Sequence, residues 1–274
     1  MIIGVLFNLG PSTDIRREFE KIRELELQSC QVCVWDPTLY TEKNAKAVAE
    51  AARAAGVSVS TLWAGWTGPC VWDFYDGPLT LGLVPAPYRA HRLKELAAAS
   101  DFALQLGVAN IATHVGFLPE NPHDPDYAGV IVALRQLTRL LKNRGQSFLF
   151  ESGQETPTTL LRAIEDIGTG NVGINFDTAN LILYGKAASL DAVEQFGRYV
   201  RDVHCKDGLF PTDGRNLGRE VPLGQGKANI QAVVRHLISV GYDGPLTIER
   251  EISGEEQRRD IVAARDLLRR ITQG

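Results

Sequence analysis

Cysteine is scarce: Cys30, Cys33, Cys70 and Cys205 are the only four in 274 residues. They are too few and too scattered for a disulfide framework in a chain this long, and are expected as free thiols. Cys30 and Cys33 share a C-x-x-C spacing, but the run SCQVCVW reads as a strand, in which residues three apart point to opposite faces. A zinc or redox pair is therefore not expected there. Clustered positive charge is missing too. The 29 Lys and Arg against 33 Asp and Glu give a net charge of −4 (29 − 33) with no basic run, which argues against nucleic acid as the main partner. Nowhere do about 18 apolar residues follow one another, the length a membrane helix needs. Met1 to Gly10 opens apolar without the basic segment of a secretory signal. The expectation is a cytoplasmic protein with no membrane partner.

No Pro/Ser-rich linker, composition break or short repeat divides the chain, so one domain over residues 1–274 is expected. At 44% hydrophobic and 23% charged, the composition is that of an ordinary globule with ample material for a large core. Eight short β-rich runs recur: Ile2–Phe7, Cys30–Trp35, Val57–Trp63, Ala109–His114, Ser147–Glu151, Val172–Asp177, Tyr199–His204 and Pro245–Glu249. Helical patterns with charged faces separate them, such as EKNAKAVAEAARAAG from Glu42 and YAGVIVALRQLTRLLKNRG from Tyr127. Glycine follows several of these helices, at Gly56, Gly107, Gly145 and Gly241, where a left-handed cap turns the chain into the next strand. The strand runs are nearly continuously apolar, as expected when both faces are covered in a parallel sheet. The strand–helix alternation predicts a single (β/α)8 TIM barrel, an α/β fold, in preference to a doubly wound open sheet.

In such a barrel the chemistry comes from the C-terminal ends of the strands and the loops after them. Four consecutive runs end in metal-competent side chains: FLFESG with Glu151, GINFDTAN with Asp177, RDVHCKDG with His204 and PLTIERE with Glu249. A carboxylate after an apolar run is costly to bury without a partner. Rim Lys or Arg could pair with one or two of them, whereas a shared divalent ion accounts for all four. Three carboxylates and one imidazole suit Mn²⁺, Mg²⁺, Co²⁺ or Zn²⁺ and not a thiolate-type site. His114 ends the fourth run and points at the same rim, as a substrate-binding or a structural histidine. Lys206 and Asp207 follow His204 directly and are candidates to orient it or to contact substrate oxygens, with a rim salt bridge as the alternative. Gln154 is a weaker candidate of the same kind.

The segment from Trp63 to Pro87 is long for a loop of this fold and rich in aromatics: Trp63, Trp66, Trp72, Phe74 and Tyr75. Aromatic rings pack on the apolar faces of sugars. Residues 63–87 are therefore expected to form a wall or lid over the pocket, with Trp63 and Trp66 as substrate contacts; a satellite cluster or dimer contact is the alternative. VPLGQGKANI, with Gly224 and Gly226, lacks the spacing of a phosphate loop and reads as a turn. Arg215, Arg219 and Lys227 lie on the loop after the seventh run and could reach a sugar phosphate.

NFDTAN around Asp177, VHCKDG around His204, VPLGQGKANI after it and TIERE around Glu249 together resemble the xylose-isomerase-like TIM barrels, which include sugar phosphate isomerases and epimerases. Within them the chain is similar to the ketose 3-epimerases of the tagatose and psicose type. The resemblance spans essentially the whole chain. It implies one divalent metal ion held by Glu151, Asp177, His204 and Glu249, and a sugar or sugar-like ketone as substrate. It implies further that Glu151 and Glu249 act as acid and base on opposite sides of the carbon beside the ketose carbonyl, the ion stabilising the enediolate. Two opposed bases give epimerisation, and a single base gives aldose–ketose isomerisation. Where many relatives place histidine three residues after the aspartate, this chain has Asn180, which can hydrogen-bond a hydroxyl but cannot act as acid or base near neutral pH. A dehydratase of the inosose or dehydroshikimate type begins with the same proton abstraction and stays open. An endonuclease-IV-like nuclease would need many histidines, and the chain has five: His91, His114, His123, His204 and His236. A non-catalytic sugar binder would not need two opposed carboxylates. Such proteins are often dimers or tetramers, so a homo-oligomer is the expectation.

Overall fold

The computed structural model describes residues 1–273. Strands β1 (Ile2–Asn8), β2 (Ser29–Val34), β3 (Ser58–Ala64), β4 (Asn110–Thr113), β5 (Ser147–Glu151), β6 (Val172–Asp177), β7 (Val200–Cys205) and β10 (Pro245–Ile248) close into one parallel barrel. Its order is β1-β10-β7-β6-β5-β4-β3-β2. Parallel neighbours need crossovers. These carry helices α1 (Ile15–Glu24), α2 (Glu42–Ala55), α4 (Ala86–Leu106), α5 (Pro125–Asn143), α6 (Pro157–Ile167), α8 (Ser189–Phe196) and α9 (Ile230–Ser239), and α10 (Gly254–Gln273) follows the last strand. The barrel strands fall on the eight sequence runs to within one residue at either end. Gly56 and Gly107 close α2 and α4 in the left-handed conformation expected of them, at φ 70° and 73°. Two short helices, α3 (Gly77–Thr80) and α7 (Asn180–Leu183), and an antiparallel ribbon of β8 (Asp207–Leu209) with β9 (Arg219–Val221) sit in the loops and were not legible as runs. No helix among the described residues is long and apolar enough to cross a membrane.

Successive strand residues face opposite ways, and here the two faces differ in chemistry. Outward side chains such as Phe148 and Phe150 on β5, Ile174 and Phe176 on β6, and Leu246 and Ile248 on β10 fill the apolar layer between barrel and helices. Cys30 lies in this layer, while Cys33 joins Trp63, Ala112 and Leu149 in a smaller cluster, so the two thiols are on opposite faces and free. The apolar reading of the runs holds throughout the outward face, whereas the inward face mixes this small apolar cluster with polar groups. Polar bridges cross the barrel interior. Gln31 Nε2 on β2 donates to Asn175 Oδ1 on β6 at 2.8 Å, and the hydroxyls of Ser60 and Thr61 on β3 donate to Asp202 on β7 at 2.7 and 2.8 Å. Each bridge joins strands on opposite sides of the closed order. Buried polar groups are tolerable when they are satisfied. Thr247 Oγ1 and the Val203 N–H complete the set around Asp202, although burial still pushes its carboxyl above the usual range.

Candidate metal centre and active site

Glu151 is the last residue of β5, Asp177 the last of β6, His204 the penultimate of β7, and Glu249 follows β10. The parallel register sets Asp177 beside His204 and Thr247 beside His204, so adjacent strands deliver these side chains to one level of the barrel. Each residue offers one donor atom, and the four atoms lie within 4.8 Å of one another. His204 Nδ1 is the focus: Glu249 Oε2 is 3.1 Å away, Glu151 Oε1 3.2 Å and Asp177 Oδ2 3.8 Å.

Local contacts explain why these atoms point inward. The Ala179 and Asn180 N–H groups, both at 2.7 Å, occupy Asp177 Oδ1 and so turn Oδ2 toward the cluster, where it has no hydrogen-bond partner. Trp63 Nε1 donates to Glu151 Oε2, leaving Oε1 for the cluster. On the far side of the imidazole, Gln31 Oε1 is 2.8 Å from His204 Nε2. That acceptor places the ring proton on Nε2 and leaves the Nδ1 lone pair facing the three carboxylates. Among the described residues this set fits a divalent ion. Octahedral ligands at about 2.1 Å stand about 4.2 Å apart across the ion, close to the spread found, and a fully buried carboxylate oxygen without a donor is what an ion would satisfy.

Electrostatics in the cluster follow from burial and crowding. Burial pushes the Glu151 carboxyl up, but the imidazoles of His114 and His204 outweigh it and hold it below its usual range. Burial opposes ionisation of Glu249 too, and Lys206 and His204 overcome it. Asp177, desolvated and facing the other two carboxylates, is raised well above its usual value. Three carboxylates around one nitrogen do not all stay ionised without a further cation.

A cavity of roughly 1100 Å³ opens over the cluster. Glu151 and Glu249 line it, as do His114, Asn180, Trp63, Trp35, Trp72 and Cys33. His114 Nε2 stands 3.5 Å from Glu151 Oε1 and its Nδ1 is unpartnered, while burial lowers its basicity. Asn180 Nδ2 lies 3.4 Å from Glu151 Oε1, and its Oδ1 is 3.5 Å from Lys206 Nζ. Lys206 is buried beside the cluster, 3.5 Å from Glu249 Oε2, and reaches Glu251 Oε1 at 3.0 Å. Gln154 is buried with both side-chain polar atoms unpartnered.

The aromatic segment divides. Trp63 and Trp72 face the cavity, and Tyr75 is 72% exposed under Arg215. Trp66 does not line the cavity; it is buried behind Trp35 and beneath the guanidinium of Arg92. Arg92 is itself fully buried and ties the segment down, donating to the carbonyl oxygens of Thr67, Pro69, Thr80 and Gly82. Trp35 and Gln31 were not singled out from sequence. Trp35 closes the second run and obeys the strand-end rule, and a glutamine inside SCQVCVW is a signal in its own right. Of the five histidines, His114 and His204 reach the site, whereas His91 pairs with Thr67 and Glu95 on the surface.

Barrel, cluster and cavity together define the class of (β/α)8 proteins whose strand ends can hold one divalent ion beside a small-molecule pocket. Within that class, the chain belongs to the xylose isomerase-like TIM barrel family, whose model matches residues 19–271. It is 37% identical to a xylose isomerase domain protein from Planctomyces limnophilus, with a TM-score of 0.91 over 98% of this chain and 96% of that one. A D-tagatose 3-epimerase-like protein has the same fold at a TM-score of 0.75 and 20% identity, over 100% and 97% of the two chains. A curated relative from Methanocaldococcus jannaschii, of uncharacterised activity, is 24% identical over 184 residues; the match spans 62% of this chain and 59% of that protein.

Proposed function

We propose that the protein is a divalent-metal-dependent sugar isomerase or epimerase that moves a proton beside the carbonyl of a keto-sugar, with Glu151 and Glu249 as the acid–base pair. The observation that carries this reading is a division within the cluster. Glu151 and Glu249 open onto the cavity, whereas Asp177 and His204 are completely buried behind them. A site that only held an ion would have no need to present two carboxylates to a pocket on either side of one imidazole. A bound divalent ion supplies Lewis-acid stabilisation of negative charge on substrate oxygens. Both glutamates are held ionised against burial, Glu151 by the imidazoles of His114 and His204 and Glu249 chiefly by Lys206, so either can accept a proton near neutral pH. Removal by one and return by the other to the opposite face inverts the carbon. Return by the same carboxylate to the adjacent carbon interconverts aldose and ketose. Trp63 holds Glu151 in place, and His114 and Asn180 stand where substrate hydroxyls can hydrogen-bond them. The D-tagatose 3-epimerase-like protein among the structural neighbours is in keeping with a sugar substrate.

Elemental analysis after loading with Mn²⁺ or Co²⁺, together with incubation of the loaded protein with keto-sugars in D₂O, tests the reading. The expected result is one ion per chain, lost in His204→Ala, and deuterium entering beside the carbonyl. The exchange rate should fall by roughly 100-fold or more in Glu151→Gln and in Glu249→Gln. Metal binding without exchange on any keto-sugar would refute it, and a dehydrated product would move the reaction to the dehydratase class.

A further inference from the structure

We infer that the site takes an uncharged keto-sugar bearing a second ring, a keto-glycoside or ketose-containing disaccharide, in preference to a free or phosphorylated monosaccharide. The inference rests on the proton-transfer reading above and adds the class of substrate. Size is the first argument. Pockets of roughly 300–1,000 Å³ enclose drug-sized ligands, and this cavity, at roughly 1100 Å³ with the groove between α1 and α10 included, is larger than one hexose ring requires. Its shape is the second. From the cluster it runs past the end of β1, along Asn8, Ser12 and Thr13, to Gln257 on α10, and continues into the groove between α1 and α10 beside Ile22, Leu25 and Ile261. A monosaccharide held at Glu151 and Glu249 would leave that arm empty.

The third argument is the wall between. Trp35 and Trp72 stand edge to face at 6.1 Å and keep 41% and 39% of their surface exposed, although both line the cavity. Large aromatic faces left uncovered inside a pocket suit the apolar face of a sugar ring. Both rings sit beside residues that touch Glu151, Trp72 at 5.3 Å from His114 and Trp35 at 4.6 Å from Trp63.

Charge argues against phosphate. The glycine-rich turn after β9 is already filled by the protein's own carboxylate. Asp207 accepts from the N–H groups of Gly208, Gly224, Gly226 and Ala228 at 2.8 to 3.0 Å. A Cβ at Gly226 would lie 2.1 Å from Asp207 Oδ1, so the glycine exists to admit that carboxylate. Two of the lining cations are spent in the same way, Arg250 on Glu220 and Asp260 and Lys21 on Glu18, which leaves Arg258, far from the cluster on α10, as the lining cation without an ion pair among the described residues. Arg215 lies over the Tyr75 ring, and the exposed Arg219 and Lys227 do not line the cavity. Glu255 and Glu256 occupy the first turn of α10, where an anion would otherwise be drawn.

All four tryptophans, Trp35, Trp63, Trp66 and Trp72, belong to this one aromatic cluster, and three of them line the cavity, so tryptophan fluorescence reports on this wall. The metal-loaded protein is titrated with sorbitol, sorbitol 6-phosphate and maltitol, which lack a carbonyl and cannot turn over. Maltitol is expected to bind at least about ten-fold tighter than sorbitol, about 1.4 kcal/mol, with the phosphate no tighter than sorbitol. Trp35→Ala, or Trp72→Ala should the first not fold, is expected to erase most of that ratio. Equal affinities, or tightest binding of the phosphate, overturn the inference. Deuterium exchange on the same preparations separates the two readings. Exchange on free ketoses with no maltitol preference overturns this inference and leaves the proton-transfer reading standing; exchange on no keto-sugar overturns both.

Discussion

Gln31 touches neither cavity nor carboxylate cluster, yet the geometry makes it decide whether His204 can serve as a ligand. Its Oε1 is 2.8 Å from His204 Nε2, and its Nε2 is held at 2.8 Å by Asn175 Oδ1. Asn175 Nδ2 is also within 3.1 Å of His204 Nε2. In Gln31→Leu the acceptor disappears and the remaining neighbour is a donor. The ring proton then moves to Nδ1, where it blocks the lone pair that faces Glu151, Asp177 and Glu249. Loss of such an outer partner typically costs 10–100-fold in metal affinity, about 1.4–2.7 kcal/mol. Orphaning the Asn175 carbonyl costs stability as well, roughly 1–3 kcal/mol. Gln31→Glu keeps an acceptor on Nε2 and is expected to retain metal affinity within a few-fold, at a cost in stability from the buried charge. Chelator-competition titration gives the affinity, urea unfolding the stability, and ¹⁵N shifts of His204 the tautomer. Unchanged affinity in Gln31→Leu alongside a clear stability loss would show that the bridge serves the barrel only and would refute the argument. Equal affinity losses in the leucine and glutamate variants would refute it too.

The barrel was legible because its signals are long and repeated. Helices of eight to 21 residues separate the strand runs, and the outward face supplies unbroken apolar character, as with Phe148 and Phe150 or Ile174 and Phe176. The gathering of Glu151, Asp177, His204 and Glu249 was legible for a related reason: strand ends in a parallel barrel all meet at one rim. What sequence did not disclose depends on contacts across the barrel. Gln31 and Asn175 are 144 positions apart and meet only because β2 and β6 stand opposite one another after closure. Period-two alternation inside SCQVCVW and VGINFD was masked because Cys, Val, Ile and Phe dominate both runs. The β8–β9 ribbon failed for another reason, since three-residue strands carry too little pattern, and its logic lies in Asp207 filling the turn after β9. Trp66 was placed one layer too close to the cavity. Nothing local distinguishes it from Trp63, and Arg92, 26 positions later on α4, fixes it behind the wall.

Three further perturbations test other parts of the argument. Asp207→Ala strips the acceptor from four backbone N–H groups; unfolding in urea should reveal a loss on the order of 3 kcal/mol, and a loss under about 0.5 kcal/mol would mean the turn holds itself. Arg92→Met releases the carbonyls of Thr67, Pro69, Thr80 and Gly82, so limited proteolysis should cut within residues 65–84 before the barrel unfolds; cleavage elsewhere first would remove its role as the tether of that segment. The last concerns Glu155, buried in the loop after β5 with Oε1 unpartnered, where burial pushes its carboxyl up to about 8 from 4.5. Between those two values the folded protein holds a proton that the unfolded chain has released. The unfolded state binds fewer protons, so stability falls as pH rises, by up to about 1.4 kcal/mol per pH unit, and the contribution is fully present only below the unfolded value. Glu155→Gln carries no titrating proton at this position and should escape the fall. Urea midpoints at pH values from about 5 to 8 are expected to diverge steadily in favour of the variant. A constant gap across that range would mean that Glu155 is ionised in the fold, paired with a cation such as Lys186 rather than kept neutral by burial.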